Sequence, residues 1–322
     1  LRITKANTLT VDAADYSDQY DGTSHGAVAT ASVTTGTVIR YSLTPSTDPA
    51  DYLLTGSPLV KNVSDSKTVY FVATNSNYEP AFGSADIAVT PRTVVINTAD
   101  ASKVYNGTPL TASGWNVDLA SDGFVSGEGF ATAATTGSIV NAGTADNGFV
   151  YTLRSNTQSG NYNISVEPGT LTITQRMVMI SAIDASKNYG AADPAFSYSI
   201  KTGVIGGTTY YSILPADLSG VTVTVNRTGF DSDVGVYADV LEPSVSATPL
   251  VESNYLFSTT TADFTINPQV TYNLNTTDKV TGFPQTSWFT LGTDATVATA
   301  TGVQRIGYHL IGWEDAVTGE QI

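Results

Sequence analysis

The chain has 322 residues, 41% of them hydrophobic and only 13% charged, with 29 acidic against 14 basic residues, a net charge of −15 and no cysteine. That length exceeds a single core of about 100–150 residues, so two to four domains are expected, and the apolar content suffices to pack them. The acidic balance argues against nucleic acid and anionic membrane surfaces as partners, which need clustered Lys and Arg, and the missing thiols exclude disulfides, thiol catalysis and cysteine-based zinc sites.

The polar surface has to come from Thr, Ser, Asn and Gly, which suit strands and turns better than exposed helix faces. In chain order, Thr8 to Val11 leads to a turn at Tyr20-Asp21-Gly22-Thr23, and Val69 to Val72 reads as a strand. Arg92-Thr-Val-Val-Ile-Asn-Thr-Ala-Asp-Ala-Ser-Lys103-Val-Tyr105 then returns as Arg176-Met-Val-Met-Ile-Ser-Ala-Ile-Asp-Ala-Ser-Lys187-Asn-Tyr189, a repeat with Arg at its head and Tyr at its end. Phe149 to Leu153, Leu171 to Thr174, Val221 to Val225 and Phe264 to Ile266 read as half-buried strands, the clearest of them alternating apolar residues with Thr. Asp21-Gly22, Asn106-Gly107 and Asp122-Gly123 are turn signals, because Gly tolerates positive φ. No stretch carries an apolar face of 3.6-residue period over three turns; a short helix has room only in 117–135 or 204–220.

The ends of the repeats also recur. Asn77-Tyr78, Asn161-Tyr162 and Asn254-Tyr255 each precede a final strand, and those strands end at Thr90-Pro91, Thr174-Gln175 and Asn267-Pro268. Residues 1–91, 92–175 and 176–268 are therefore expected to be three abutting modules, with the last strand of one running into the first of the next. Residues 269–322 differ in character, with Val270-Thr-Tyr272-Asn273 and Gly307-Tyr308-His309-Leu310-Ile311-Gly312-Trp313. The chain begins without a signal peptide and ends abruptly, so it reads as a segment of a longer protein. The expected fold is mainly β, as tandem small β-rich modules.

Tyr105-Asn-Gly-Thr-Pro-Leu110, with Gly169-Thr-Leu-Thr-Ile-Thr174 at the far end, resembles the MBG modules of bacterial surface adhesins. Tyr189-Gly190-Ala-Ala-Asp193-Pro-Ala-Phe196 resembles their Tyr-Gly-x variant, and Tyr20-Asp-Gly-Thr-Ser-His25-Gly26 with Asn77-Tyr78 looks like a divergent relative in 1–91. The tail, 269–322, is similar to the Listeria–Bacteroides (InlB B-type) repeat through its Val-Thr-Tyr-Asn start and Gly-Tyr-x-x-x-Gly-Trp core; it lacks that repeat's usual final strand and reads as truncated. The resemblance implies β-grasp-like modules on Gram-positive or gut-bacterial surface proteins, with no catalytic residues and no general ligand. An immunoglobulin-like sandwich fits the bare strand pattern equally well.

Few residues point to chemistry. His25 and His309 are the only histidines, and no Gly-x-Ser-x-Gly elbow accompanies them. The glutamates, Glu79, Glu128, Glu167, Glu242, Glu252, Glu314 and Glu320, recur at no equivalent place, which argues against a glycosidase acid pair. Asp12, Asp15, Asp18 and Asp21, and Asp231-Ser-Asp233, are oxygen-rich as calcium requires, but without an Asp-x-Asp-x-Asp-Gly loop they read as solvated acidic turns. Some cell-wall adhesins cross-link Lys to Asn or Asp within a module, and Lys103 and Lys187 recur at places that match each other, which makes them the lysines to check; exposed strand-end lysines are the plainer reading. Tyr105 and Tyr189 are expected to be structural and Trp313 to be core. Trp115, which has no counterpart in the neighbouring repeats, is the candidate for ligand contact through an exposed ring.

The expected function is that of a non-catalytic segment of a bacterial cell-surface protein, in adhesion or as an extended stalk. Two alternatives stand beside it: accessory modules of a large surface enzyme whose catalytic domain lies elsewhere, and a carbohydrate-binding array, which needs an exposed aromatic strip. No catalytic residue, cofactor or metal is expected. The location is extracellular, anchored to the cell wall or secreted; a host glycoprotein, mucin or matrix protein is the candidate partner, and the fragment is expected to be monomeric.

Overall fold

Strands succeed one another from Val11 to Asn267 in a computed structural model that describes residues 4–229, 232–274, 276–299, 301–308 and 310–321. His309 and Asp231 lie outside the described residues. Two compact units result, Leu1–Lys103 with Pro109–Ile173, and Val104–Thr108 with Thr174–Ile322.

In the first unit, a four-stranded sheet has the order Tyr16–Gln19, Tyr78–Thr90, Lys67–Asn75, Thr37–Ser42, with the first pair parallel and the others antiparallel. Period-two alternation turns Val69, Phe71, Ala73, Ala85, Ile87 and Val89 inward, and all six are buried. One residue after that sheet ends, Arg92–Thr98 begins a second, between Tyr162–Glu167, parallel, and Trp115–Val117, antiparallel. Gly169–Thr174 lies between Gly143–Asn147 and Ala101–Val104, and Phe130–Thr135 pairs with Phe149–Leu153. Val94, Ile96 and Tyr162 belong to the same buried cluster as Phe71 and Ile87, so the core runs without a break from one sheet set into the next.

In the second unit, Arg176–Ala182 lies between Tyr198–Lys201, antiparallel, and Tyr255–Thr260, parallel. A four-stranded sheet follows, in the order Ala185–Asn188, Ala262–Asn267, Gly235–Ala247, Val221–Arg227. Ala182 of the first sheet packs with Leu241, Ala262, Phe264 and Ile266 of the second, which is sheet-on-sheet packing. The register repeats across the chain: Arg92 stands opposite Tyr162, and Arg176 opposite Tyr255.

The mainly β expectation therefore holds. Among the described residues the longest helix is Pro249–Asn254, six residues, too short for a sheet to grip in the β-grasp manner. Of the two alternatives, the sandwich is the one this layering fits. The windows 117–135 and 204–220 carry no α-helix. The first is a run of turns leading into Phe130–Thr135, and the second is a strand pair followed by the one-turn Leu218–Gly220. Gly123, Gly127 and Gly129 interrupt the first, and Gly206, Gly207 and Pro215 the second.

The glycine that opens Gly169-Thr-Leu-Thr-Ile-Thr has a steric cause. A Cβ there would lie 2.4 Å from the Thr98 carbonyl oxygen and 2.6 Å from the Ala99 carbonyl carbon, both backbone atoms that cannot swing aside. Gly169→Ala is expected to cost about 1–3 kcal/mol, read as a lower urea midpoint at unchanged m-value.

Candidate functional site: an aromatic row beside a polar cleft

Trp115 opens the strand Trp115–Val117, opposite Thr98, and its ring is 38% exposed. It packs on Phe149 with ring centroids 5.0 Å apart and on Phe130 at 5.9 Å. Phe130 in turn meets Tyr151 at 4.8 Å, and Tyr151 is also 38% exposed. Phe124 joins Phe130 to Tyr162, 4.9 Å from each. The row thus has two wet ends, Trp115 and Tyr151, and a dry root in the first unit's core. Such a root holds exposed rings in place at little further entropy cost on binding.

Beside Tyr151 lies an open cleft of about 500 Å³, lined by Thr93, Leu153, Ser159, Asn163, Ile164 and Ser165 along with Tyr151 and Tyr162. None of these side chains is charged. Hydroxyls, an amide and an aromatic edge together suit a neutral ligand that offers both an apolar face and hydroxyl groups.

Behind the cleft the Tyr162 hydroxyl donates to Glu128 Oε2 at 2.7 Å and accepts from the Val125 N–H at 3.2 Å. Tyr20 donates to the other carboxylate oxygen of Glu128 at 2.6 Å, and the two rings meet edge to face at 5.7 Å. Burial, reinforced by the Glu128 carboxylate, pushes Tyr20 up to about 12 and holds Tyr162 well above the ordinary tyrosine value. A tyrosine with a raised folded value contributes stability that is fully present below about pH 10 and is lost as pH rises through the folded value. The urea midpoint is therefore expected to fall between about pH 10 and 12, and less steeply in Tyr20→Phe than in the parent chain.

Residues 178–265 match the MBG domain of the YGX type. No curated protein matches the chain. Solved structures to which the chain is similar include an I-band fragment of titin, 9% identical over 81% of this chain and 98% of that one, with a TM-score of 0.27. Others are the EC1-3 segment of Drosophila N-cadherin, 12% identical over 83% and 98% with a TM-score of 0.26, and the Bacteroides ovatus glucan-utilization protein SGBP-B in complex with a mixed-linkage heptasaccharide, 10% identical over 83% and 72% with a TM-score of 0.19.

Inside the MBG domain, Lys187 Nζ lies 2.8 Å from Asp193 Oδ1, and Arg227 Nε lies 2.9 Å from Asp193 Oδ2. Lys103, at the matching place in the preceding repeat, donates to the Pro109 carbonyl at 3.1 Å. Tyr105 is buried, whereas Tyr189, its repeat counterpart in the MBG domain, is 41% exposed. In the tail the Trp313 indole donates to the Ala298 carbonyl at 2.6 Å, and its ring packs on Tyr272 at 4.9 Å.

The remaining polar residues serve turns. His25 Nε2 lies 3.0 Å from Asp21 Oδ1, and the imidazole stacks on Tyr16 at 4.2 Å. That hydrogen bond, with one from the Thr23 N–H, pulls Asp21 down to about 2. Asp15 accepts from the Asp86 N–H at 2.8 Å. Among the described residues no three acidic or histidine side chains gather as metal ligands. The sequence singles out Trp115 as a candidate but not the rings gathered with it, since strand pairing brings Phe130, Phe149 and Tyr151 together from distant positions; nor does it single out Glu128, which a turn brings to Tyr162.

Proposed function

We propose that the chain is a non-catalytic segment of a bacterial cell-surface protein, acting in adhesion or as an extended stalk. Its modules would be 1–91, 92–175 and 176–268, with an InlB B-type repeat at 269–322, and it would work outside the cell. The observation that carries this reading is the MBG domain at 178–265; the register that leads into it, Arg176 opposite the Tyr255 of an Asn-Tyr pair in a parallel strand, returns as Arg92 opposite Tyr162. The packing of Tyr272 on Trp313 supports the tail's part, since it joins the two ends of the tail's motif. Binding of the intact chain to immobilised mucin, host glycans and matrix proteins tests the adhesive role. Saturable binding is expected, and Trp115→Ala is expected to weaken it about tenfold while leaving the far-ultraviolet spectrum unchanged. A chain that binds none of these surfaces is a spacer.

A second reading, carbohydrate binding, is favoured by the exposed rings of Trp115 and Tyr151 beside an uncharged cleft. On this reading a soluble neutral oligosaccharide competes with the immobilised surface at any ionic strength, whereas an ionic attachment weakens as salt screens it.

A further inference from the structure

The turn at Tyr20 and the turn at Tyr105 are held by the same set of contacts, built from different residues. At the first, Arg92 Nε donates to the Gly123 carbonyl at 3.0 Å and Nη1 to the Tyr20 carbonyl at 3.4 Å. A side chain at Gly22 would meet Val125 Cγ1 at 2.9 Å, so the loop lies directly over the glycine. Val125 and Glu128 form a turn, Glu128 N–H to Val125 carbonyl at 3.0 Å, which aims one N–H and one carboxylate at Tyr162 and Tyr20.

The turn at Tyr105 belongs to the second compact unit, together with everything that holds it. There Arg176 Nε donates to the Ser212 carbonyl at 2.7 Å and Nη1 to the Tyr105 carbonyl at 3.3 Å. Leu214 lies over Gly107, Cδ1 at 3.3 Å from where a Cβ would stand. Asp217 N–H reaches the Leu214 carbonyl at 2.9 Å, and the Leu214 N–H reaches the Tyr255 hydroxyl at 3.0 Å. Tyr255 and Tyr105 both donate to Asp217 Oδ2, at 2.7 and 3.2 Å, with rings edge to face at 5.5 Å. Gly123-Phe-Val-Ser-Gly-Glu128 and Ser212-Ile-Leu-Pro-Ala-Asp217 share hardly a residue, yet they place carbonyl, apolar side chain, N–H and carboxylate alike.

We propose that these elements form a socket, Arg plus apolar residue plus acid plus Tyr, whose ligand is the Tyr-x-Gly turn of the preceding repeat. Each part of the turn is read: the phenol by the acid, the tyrosine carbonyl by Arg, and the glycine by Val125 or Leu214. The glycines have φ of +81° and +76°, which L side chains rarely adopt, so the turn and the close approach need the same residue. Tyr189-Gly190-Ala191 is a related turn without a socket, its glycine directly after the tyrosine rather than one residue later. The tyrosine is set in the same way, with Tyr189 N–H to the Asn267 carbonyl at 3.0 Å against 2.8 and 2.9 Å at Tyr20 and Tyr105, while the positive φ, +80°, falls at Gly190, one position earlier than at Gly22 and Gly107. Gln269 stands where the Arg would, and Tyr189 is exposed. The backbone bond that seats the tyrosine therefore forms without the socket, and what an Arg-headed repeat adds is recognition.

Hydrogen exchange on the intact chain tests this. Glu128→Ala is expected to speed exchange in the turn at 20–23 as well as in the loop at 123–128, by roughly tenfold to a hundredfold, the range a hydrogen bond to a charged group supports. Tyr20→Phe, which keeps the ring and the fold, is expected to speed exchange in that same loop, Tyr105→Phe in 212–217, and Tyr189→Phe nowhere. The double variant Tyr20→Phe with Glu128→Gln should lose less than the two singles combined. Acceleration confined to the mutated segment, additive losses, or a Tyr189→Phe effect equal to that of Tyr20→Phe would each overturn the proposal.

Discussion

Phe71→Ala is expected to lower the stability of the first unit by about 3–5 kcal/mol, the largest effect of any single substitution considered for this unit. Phe71 is fully buried, and its ring meets Tyr41 edge to face at 6.2 Å. Gly83, its cross-strand partner, explains how so large a ring fits: a Cβ at Gly83 would stand 2.4 Å from Phe71 Cε2, so the ring lies flat over the place a side chain would take. With glycine opposite, nothing can collapse into the cavity that alanine leaves. Because the buried cluster runs on through Val94, Ile96 and Tyr162, the loss should appear in residues 92–173 as well as around the mutation. Urea unfolding followed by circular dichroism measures the size, and exchange of the Ile96 amide measures the reach. Phe71→Leu, which keeps most of the volume, should cost less than half as much. A loss below about 1 kcal/mol for the alanine variant would mean that the site collapses after all.

Local chemistry made the strands legible. Leu171 and Ile173 are buried and Thr172 is not, as alternation demands, and Phe149–Leu153 has the same bounds in sequence and structure. Gly22, Gly107 and Gly123 all have positive φ, as turn chemistry requires. The stretch from Thr8 to the Tyr20 turn is less regular: Val11–Asp12 is a two-residue strand paired with Thr30–Ala31, a short edge segment that depends on a partner alternation does not reveal. The two windows with room for a helix hold none for a related reason. Their apolar residues, Phe124 and Val125 in one and Ile213 in the other, have no helical spacing and are inserted from turns into the core.

Candidate site residues were legible only where one residue stood out alone. Trp115 did, because neither neighbouring repeat has a tryptophan at that place. The acids did not. Searched as glutamates they recur nowhere, since the equivalent of Glu128 is Asp217, one methylene shorter and set at a different distance from its Arg. The repeat that mattered was one of geometry: a turn that presents an N–H and a carboxylate to the same tyrosine. Tyr162 and Tyr255 could be found as ends of a motif, but their role needed the parallel register that sets each opposite an Arg.

Asp193→Ala is expected to destabilise the MBG domain by about 1–2 kcal/mol, between an exposed and a buried ion pair, because Asp193 is itself 31% exposed while both of its partners are largely covered. The side chains of Lys187 and Arg227 are each only 12% exposed, and the Arg227 guanidinium lies 4.7 Å from the centre of the Phe264 ring. Removing the carboxylate takes away the counter-ion that Lys187 and Arg227 share, and Arg227 can turn to water only by giving up its place over the Phe264 ring. Asp193→Asn keeps an acceptor and should recover part of the loss. Lys187→Met removes one cation and its desolvation together, so it should cost less than Asp193→Ala, and in the double variant Lys187→Met with Asp193→Ala the two losses should fall well short of adding. Thermal unfolding of the four variants separates these cases. The intact mass of the parent chain bears on the same contact: the sequence mass means an ion pair, whereas a deficit of one water would mean that Lys187 and Asp193 are joined as an amide. A full additive loss in the double variant would show that the cations are held by other groups and that Asp193 acts on its loop alone.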